Sequence, residues 1–194
     1  GYTNIDQAED NPEDAYKVNQ LGTKNIAKIA KKHDIPILYV STDNVFDGTS
    51  TIPYKTTDKV NPINIYGKSK LAGEKEIIKT TKKHYILRTS WLYGIGGYVD
   101  AMLTFSNFRK EISVVDDQIG CPTSCEDISR KIIEIIKNKK PYGIYNVCSS
   151  GSASWADFTK KIFELKNKNV EVLSIDKSDF PRPARRPKYC VLDN

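Results

Sequence analysis

Tyr66 and Lys70 stand four residues apart in Tyr66-Gly67-Lys68-Ser69-Lys70, and Ser41-Thr42-Asp43 closes an apolar run ahead of them. A tyrosine and a lysine at that spacing share one face of a helix. The ammonium can then lie beneath the phenol and favour its ionised form, while a hydroxyl from Thr42 or Ser41 shares the proton. Unaided, a phenol of pKa about 10 is a poor acid or base near neutrality, and a neighbouring cation lowers that value. Such a set suits a carbonyl being reduced by hydride, or an alcohol being oxidised. Taken alone, the pair also fits a surface tyrosine covered by a lysine stem. The surrounding order points to chemistry: strand, Ser-Thr-Asp, a loop with Pro53 and Pro62, then the helix.

The elements that must position these residues follow from the apolar pattern. Asn11-Pro12-Glu13 opens a helix, and Ala15, Val18, Leu21, Ile26, Ile29 and Ala30 carry its stripe to about Lys32. Residues 35–40 form a short, wholly apolar strand, as in a parallel sheet covered on both faces. A long loop spans 43–61, and the Tyr66 helix runs from near Pro62 to about Thr81. Strands are expected at 85–89, 112–115, 144–147 and 170–174, with helices at about 98–109, 128–136 and 154–165. This alternation predicts an α/β fold, doubly wound, with a mostly parallel Rossmann-like sheet and a small substrate-binding lobe. Residues 1–115 are assigned to a dinucleotide-binding domain with the catalytic helix. Residues 116–194 are assigned mostly to the substrate lobe, with segments returning to the main domain.

Composition sets the bounds. The 194 residues, 39% hydrophobic and 28% charged, describe an ordinary globular chain with a real core. No apolar run approaches the roughly 18 residues of a membrane span, no signal-peptide pattern opens the chain, and the cytoplasm is the default expectation. The net charge of +6 lies in lysines spread along helix faces, such as Lys24, Lys28, Lys31 and Lys79, without interleaved aromatics. That pattern argues against nucleic-acid binding while still attracting an anionic small substrate. Cys121, Cys125, Cys148 and Cys190, with only His33 and His84 as histidines, make no zinc pattern, so no metal ligand is assigned.

Several stretches in order carry a family resemblance: Ser41-Thr42-Asp43-Asn44-Val45-Phe46-Asp47-Gly48, then Pro62 through Tyr66 and Lys70 to Glu74. Arg88-Thr89-Ser90-Trp91-Leu92-Tyr93-Gly94, residues 117–123 and Pro181-Arg182-Pro183-Ala184-Arg185-Arg186-Pro187 continue it. The chain resembles the dTDP-4-dehydrorhamnose reductases of the extended short-chain dehydrogenase/reductase superfamily over essentially its whole length. The resemblance implies reduction of a dTDP-4-keto sugar by NADPH or NADH. By it, Tyr66 protonates the incipient alkoxide, Lys70 holds the nicotinamide ribose and polarises Tyr66, and Thr42 bonds the carbonyl or the phenol. Thr3, Asp43 and Trp91 fall around the sugar, and Tyr2, Ser41 and Arg88 on the cofactor track. Arg185 and Arg186 suit the nucleotide's diphosphate, although a solvated basic turn is the other reading of that pair. Homodimerisation and, in some members, magnesium are further implications.

The chain also departs from the family pattern. Asn44 stands where tyrosine is usual, and the Gly94–Tyr98 turn is shorter. The glycine-rich phosphate turn that normally joins the first strand and helix of such a fold has no counterpart, because Gly94-Ile95-Gly96-Gly97 comes too late and lacks the spacing. The sequence therefore reads as lacking an N-terminal phosphate-binding segment and a C-terminal end. Two other functions share these motifs: a non-catalytic regulatory subunit like that of methionine adenosyltransferase, and a sugar epimerase or dehydratase. A dehydratase usually places an acidic pair beside the threonine, whereas only Asp43 follows Thr42 here.

Overall fold

A computed structural model describes residues 1–194. Asn4 caps a short helix, α1 (Ile5–Asp10), by accepting from the Gln7 amide. Pro12 then starts α2 (Pro12–Tyr16), which runs through a π-helical stretch, Lys17–Gly22, into α3 (Thr23–Lys32). The apolar periodicity predicts one uninterrupted helix here. The wider π turn is explained by Asn19, which is buried within it. Its side chain grips the Tyr2 main chain at both N–H and C=O (2.9 and 3.0 Å) and donates to Ser69 Oγ at 2.9 Å. Widened turns of this kind concentrate at functional sites.

Strands β1 (Ile37–Thr42) and β2 (His84–Thr89) pair in parallel, Ile37 opposite His84 and Thr42 opposite Thr89. Helix α4 (Ile65–Thr80) connects them. After β3 (Leu92–Tyr93) and α5 (Tyr98–Phe105) come β4 (Glu111–Val115), β5 (Ile119–Gly120), β6 (Thr123–Ser124) and α6 (Cys125–Lys137). The chain continues through β7 (Gly143–Asn146), β8 (Ala153–Ser154), α7 (Trp155–Leu165) and β9 (Glu171–Ile175). The central sheet has the order β1-β2-β7, all parallel. Every residue of β2 is buried, as a strand covered on both faces must be. Ile86 packs with Ala27, Ala30 and Ile77 of α3 and α4 on one side, while Tyr85 and Leu87 pack with Ile128 and Ile135 of α6 on the other. This is the expected α/β arrangement.

A second, smaller core joins α5, α7 and the parallel pair β4–β9 around Met102, Ile162 and Phe163. A division at residue 115 differs from these pairings at β4. β4 lies before that point yet pairs with β9 in the lobe, whereas α6 and β7, after it, are segments that return to the main sheet. Chain order does not reveal the β4–β9 pairing, because strand partners are set by burial of faces and not by sequence adjacency alone.

The long loop after β1 is tied down from within. The Asp47 carboxylate accepts from Thr49, Tyr54 and Asn61. Tyr54 exchanges main-chain bonds with Val191 and Asp193, which brings the final residues beneath the loop in a core of Phe46, Leu71, Cys121 and Leu192. No helix is long and apolar enough to cross a membrane.

Candidate active site

Asn64 places Tyr66. As N-cap of α4 it accepts from the Gly67 amide at 2.8 Å, while its own amide donates to Asn44 Oδ1 and to the Arg185 carbonyl, both at 2.9 Å. Glu9 reaches from α1 to accept the Ile65 N–H at 2.8 Å, a carboxylate at a helix N-terminus. Gly67 lets this first turn approach the loop: a Cβ there would lie 2.2 Å from the Asn44 carbonyl oxygen. Gly73 does the same two turns on, where a Cβ would lie 2.4 Å from the Asn19 carbonyl oxygen.

Three successive turns of α4 then bind the end of β1. The Thr42 hydroxyl, which itself donates to Asp43 at 3.0 Å, stands near enough to the Tyr66 phenol to favour its ionised form. Lys70 Nζ donates to the Val40 carbonyl at 2.7 Å and stands 4.0 Å from the centre of the Tyr39 ring. Glu74 accepts from Ser41 Oγ at 2.5 Å. Residues 66, 70 and 74 form a single i, i+4, i+8 stripe, so helical spacing alone aligns them.

The electrostatics differ from the expectation of an ammonium depressing the phenol. Burial pushes Tyr66 up to about 12, with the Thr42 hydroxyl opposing and Asp43 adding to the rise. Burial likewise brings Lys70 down to about 8, against the pull of Glu74. Lys70 is held by Val40 and Tyr39, and burial dominates at the phenol. Tyr66 therefore rests as a neutral phenol, the form a proton donor needs. Asp43 is almost wholly buried and accepts from Thr42 (3.0 Å), Asn44 (2.9 Å) and Ser90 (2.7 Å); burial raises it despite these bonds. It orients the Thr42 hydroxyl and has little capacity left for a sugar.

Ser41 and Arg88, expected on the cofactor track, turn their side chains toward Glu74. Both are buried on Glu74, Arg88 through a forked pair of 3.1 and 2.7 Å with its third nitrogen on the Thr56 carbonyl. Desolvated charges require such internal partners. Tyr2 lies beside the site through Asn19, and a Cβ on Gly1 would stand 4.0 Å from Lys70 Nζ. Thr3 is exposed. Trp91 has a left-handed backbone (φ 44°), stacks on Trp155 at 3.7 Å and covers Gly120 so closely that a Cβ there would lie 2.4 Å from its ring. A non-glycine residue held in that conformation signals a constrained site.

Arg185 and Arg186 diverge. Arg186 and Arg182 both pair with Asp6 at 3.0 Å. Burial would raise Asp6, but the Ala184 amide and the two guanidinium groups outweigh it and hold the carboxyl below its usual range. Arg185 is exposed and tied down through its carbonyl alone. It borders a cleft of about 730 Å³ with Gln118 and Lys188. A neighbouring cleft of about 560 Å³ is mostly apolar, lined by Met102, Ile112, Trp155 and Phe180, with Arg182 and Arg186 at its polar end. No cluster of three or more His, Cys, Asp or Glu side chains stands together in a way that could hold a metal ion.

Sequence reasoning missed Asn19, Asn64, Ser90 and Asp6 as determinants of the site. Asn64 alone left a readable trace, an Asn immediately before the helical run.

The sequence model described as "RmlD substrate binding domain" matches residues 1–194. A dTDP-4-dehydrorhamnose reductase of Sinorhizobium fredii is 39% identical over 96% of this chain and 67% of its own length. The crystal structure of a dTDP-4-dehydrorhamnose reductase from Clostridium acetobutylicum superposes with a TM-score of 0.98 at 42% identity, over 100% of this chain and 69% of that one. The corresponding reductase of Bacillus anthracis, solved in complex with NADP, gives 0.97 at 41% identity with the same coverage. The chain thus spans about two thirds of the length of these relatives. It belongs to the RmlD family of dTDP-4-dehydrorhamnose reductases.

Proposed function

We propose that this chain supplies the proton-donating and sugar-binding parts of an NADPH- or NADH-dependent oxidoreductase that converts dTDP-4-dehydro-L-rhamnose to dTDP-L-rhamnose. The observation that carries the reading is the docking of Tyr66, Lys70 and Glu74 onto Thr42, Val40 and Ser41. It leaves a neutral phenol and an ammonium with donors to spare at one end of the sheet. Lys70 commits one N–H to Val40, and its remaining donors fit a ribose diol, with Tyr66 and the Tyr2 main chain alongside. The nicotinamide cofactor supplies hydride. The chain's own residues hold the keto oxygen between Thr42 and Tyr66, and Tyr66 releases its proton to that oxygen as negative charge develops there. The resulting phenolate lies next to a hydroxyl and a cation, both of which stabilise it.

Trp91 and Thr3 suit the sugar, the apolar cleft beside Trp155 suits a pyrimidine base, and Arg185 with the Asp6-tethered Arg182 and Arg186 suits the diphosphate. Dehydration is less well served, because the Asp43 oxygens are taken up by Thr42, Asn44 and Ser90. The four free thiols fit a reducing, cytoplasmic setting. Val18, Leu21, Ile26 and Ile29, left exposed along the π stretch and α3, fit a homodimer contact. Consumption of NADPH with the dTDP-4-keto sugar, lost in Tyr66→Phe, tests the reading. Unchanged turnover in that variant removes Tyr66 from the mechanism.

A further inference from the structure

Glu74 is almost wholly buried, yet it touches neither of the clefts. It lies one helical turn beyond Lys70 on the same face and binds both flanking strands, through Ser41 of β1 and Arg88 of β2. A buried carboxylate bridging two strands could serve cohesion alone. Its place in the stripe says more: Val40, whose carbonyl receives the Lys70 ammonium, immediately precedes Ser41. The Glu74–Ser41 bond therefore fixes the peptide that orients Lys70.

We infer that Glu74 is a positioning residue that keeps the Lys70 ammonium protonated and aimed at the site, with Arg88 holding the carboxylate in place. The inference deepens the reductase reading and rests on it for its significance, since a neutral amine could not support a phenolate. The groups facing Lys70 are few. Tyr39 of β1 offers its ring face, and Tyr66 and Glu74 lie on α4 itself. Arg88 of β2 is bound to Glu74, and Gly1, which bears the α-amino group, lies close enough that a Cβ on it would stand 4.0 Å from the Lys70 Nζ. Glu74 is the one acid among them. Burial drives Lys70 toward neutrality, and Glu74 is the group that opposes it.

The test is a titration of Lys70 by NMR of the protein carrying ¹³Cε-labelled lysine, with the resonance assigned by its loss in Lys70→Met. Glu74→Gln preserves shape and hydrogen bonding to Ser41 while removing the charge. It is expected to raise the neutral-to-charged ratio of Lys70 at least tenfold at a given pH. The double variant Glu74→Gln with Arg88→Met leaves no unpaired guanidinium, so it remains measurable where the single variant fails to fold, and it should shift in the same direction. Ser41→Ala, which keeps the carboxylate, should move the midpoint far less. A Lys70 midpoint unchanged from the parent in the folded Glu74 variants overturns the inference. Because the readout needs no turnover, failure of the protein to oxidise NADPH would count against the reductase reading and leave the Glu74 result intact.

Discussion

Lys70 Nζ donates to the carbonyl oxygen of Val40 at 2.7 Å. The cation of the catalytic helix is thereby tied to the strand whose last residue, Thr42, faces the phenol. The ammonium is positioned by the sheet before any ligand arrives, which lowers the ordering cost of binding one.

Replacement of Tyr66 by Phe removes the proton donor and leaves the packing of the ring. The rate of NADPH oxidation should fall at least ~100-fold, the lower range for a positioned general acid. Circular dichroism and substrate binding should be near those of the parent, because the phenol makes no bond on which the fold depends.

Lys70 gives stability a pH dependence whose sign is fixed by its burial. Its folded value is about 8, and the unfolded chain restores the ordinary ~10.4. Between the two, the unfolded state binds the proton that the folded state releases, so the unfolding free energy rises with pH across that window. The limit is about 3 kcal/mol. Below about 8 both states are charged, and this contribution to the slope vanishes. Urea unfolding of the parent and Lys70→Met at a series of pH values should show this slope in the parent alone. Activity should run the opposite way, falling above about pH 8 as the ammonium is lost.

Gly67→Ala places a methyl group 2.2 Å from the Asn44 carbonyl oxygen. No rotamer relieves a clash with main chain, so the first turn of α4 must lift from the loop, carrying Tyr66 away from Thr42. A destabilisation of at least about 2 kcal/mol is expected in urea unfolding, with kcat falling more than KM rises.

Arg185→Ala should raise KM for the dTDP-sugar roughly tenfold while leaving kcat within a factor of a few, as the loss of one charge-assisted contact to a diphosphate predicts. Arg186→Ala should cost more, because it also releases one of the two guanidinium groups that Asp6 holds. Steady-state kinetics on the two variants separate the contributions.

What the sequence by itself determined is local. The i, i+4 spacing of Tyr66 and Lys70 set their common face. The apolar run at 35–40 and the stretch at 85–89 marked the two parallel strands to within two residues, and the alternation of elements set the α/β class. These features depend on neighbours in the chain, so periodicity carries them. The tertiary structure alone decided where the buried charges went. It turned Ser41 and Arg88 inward to Glu74, opened a π turn for Asn19, drew Arg182 and Arg186 to Asp6 from the far end of the chain, and joined β4 to β9. A polar side chain removed from water must find a partner wherever the packed chain offers one, and no spacing rule in the sequence records which partner that is. The same desolvation made Tyr66 a neutral phenol and Lys70 a weakened cation, reversing the electrostatics that their spacing predicts.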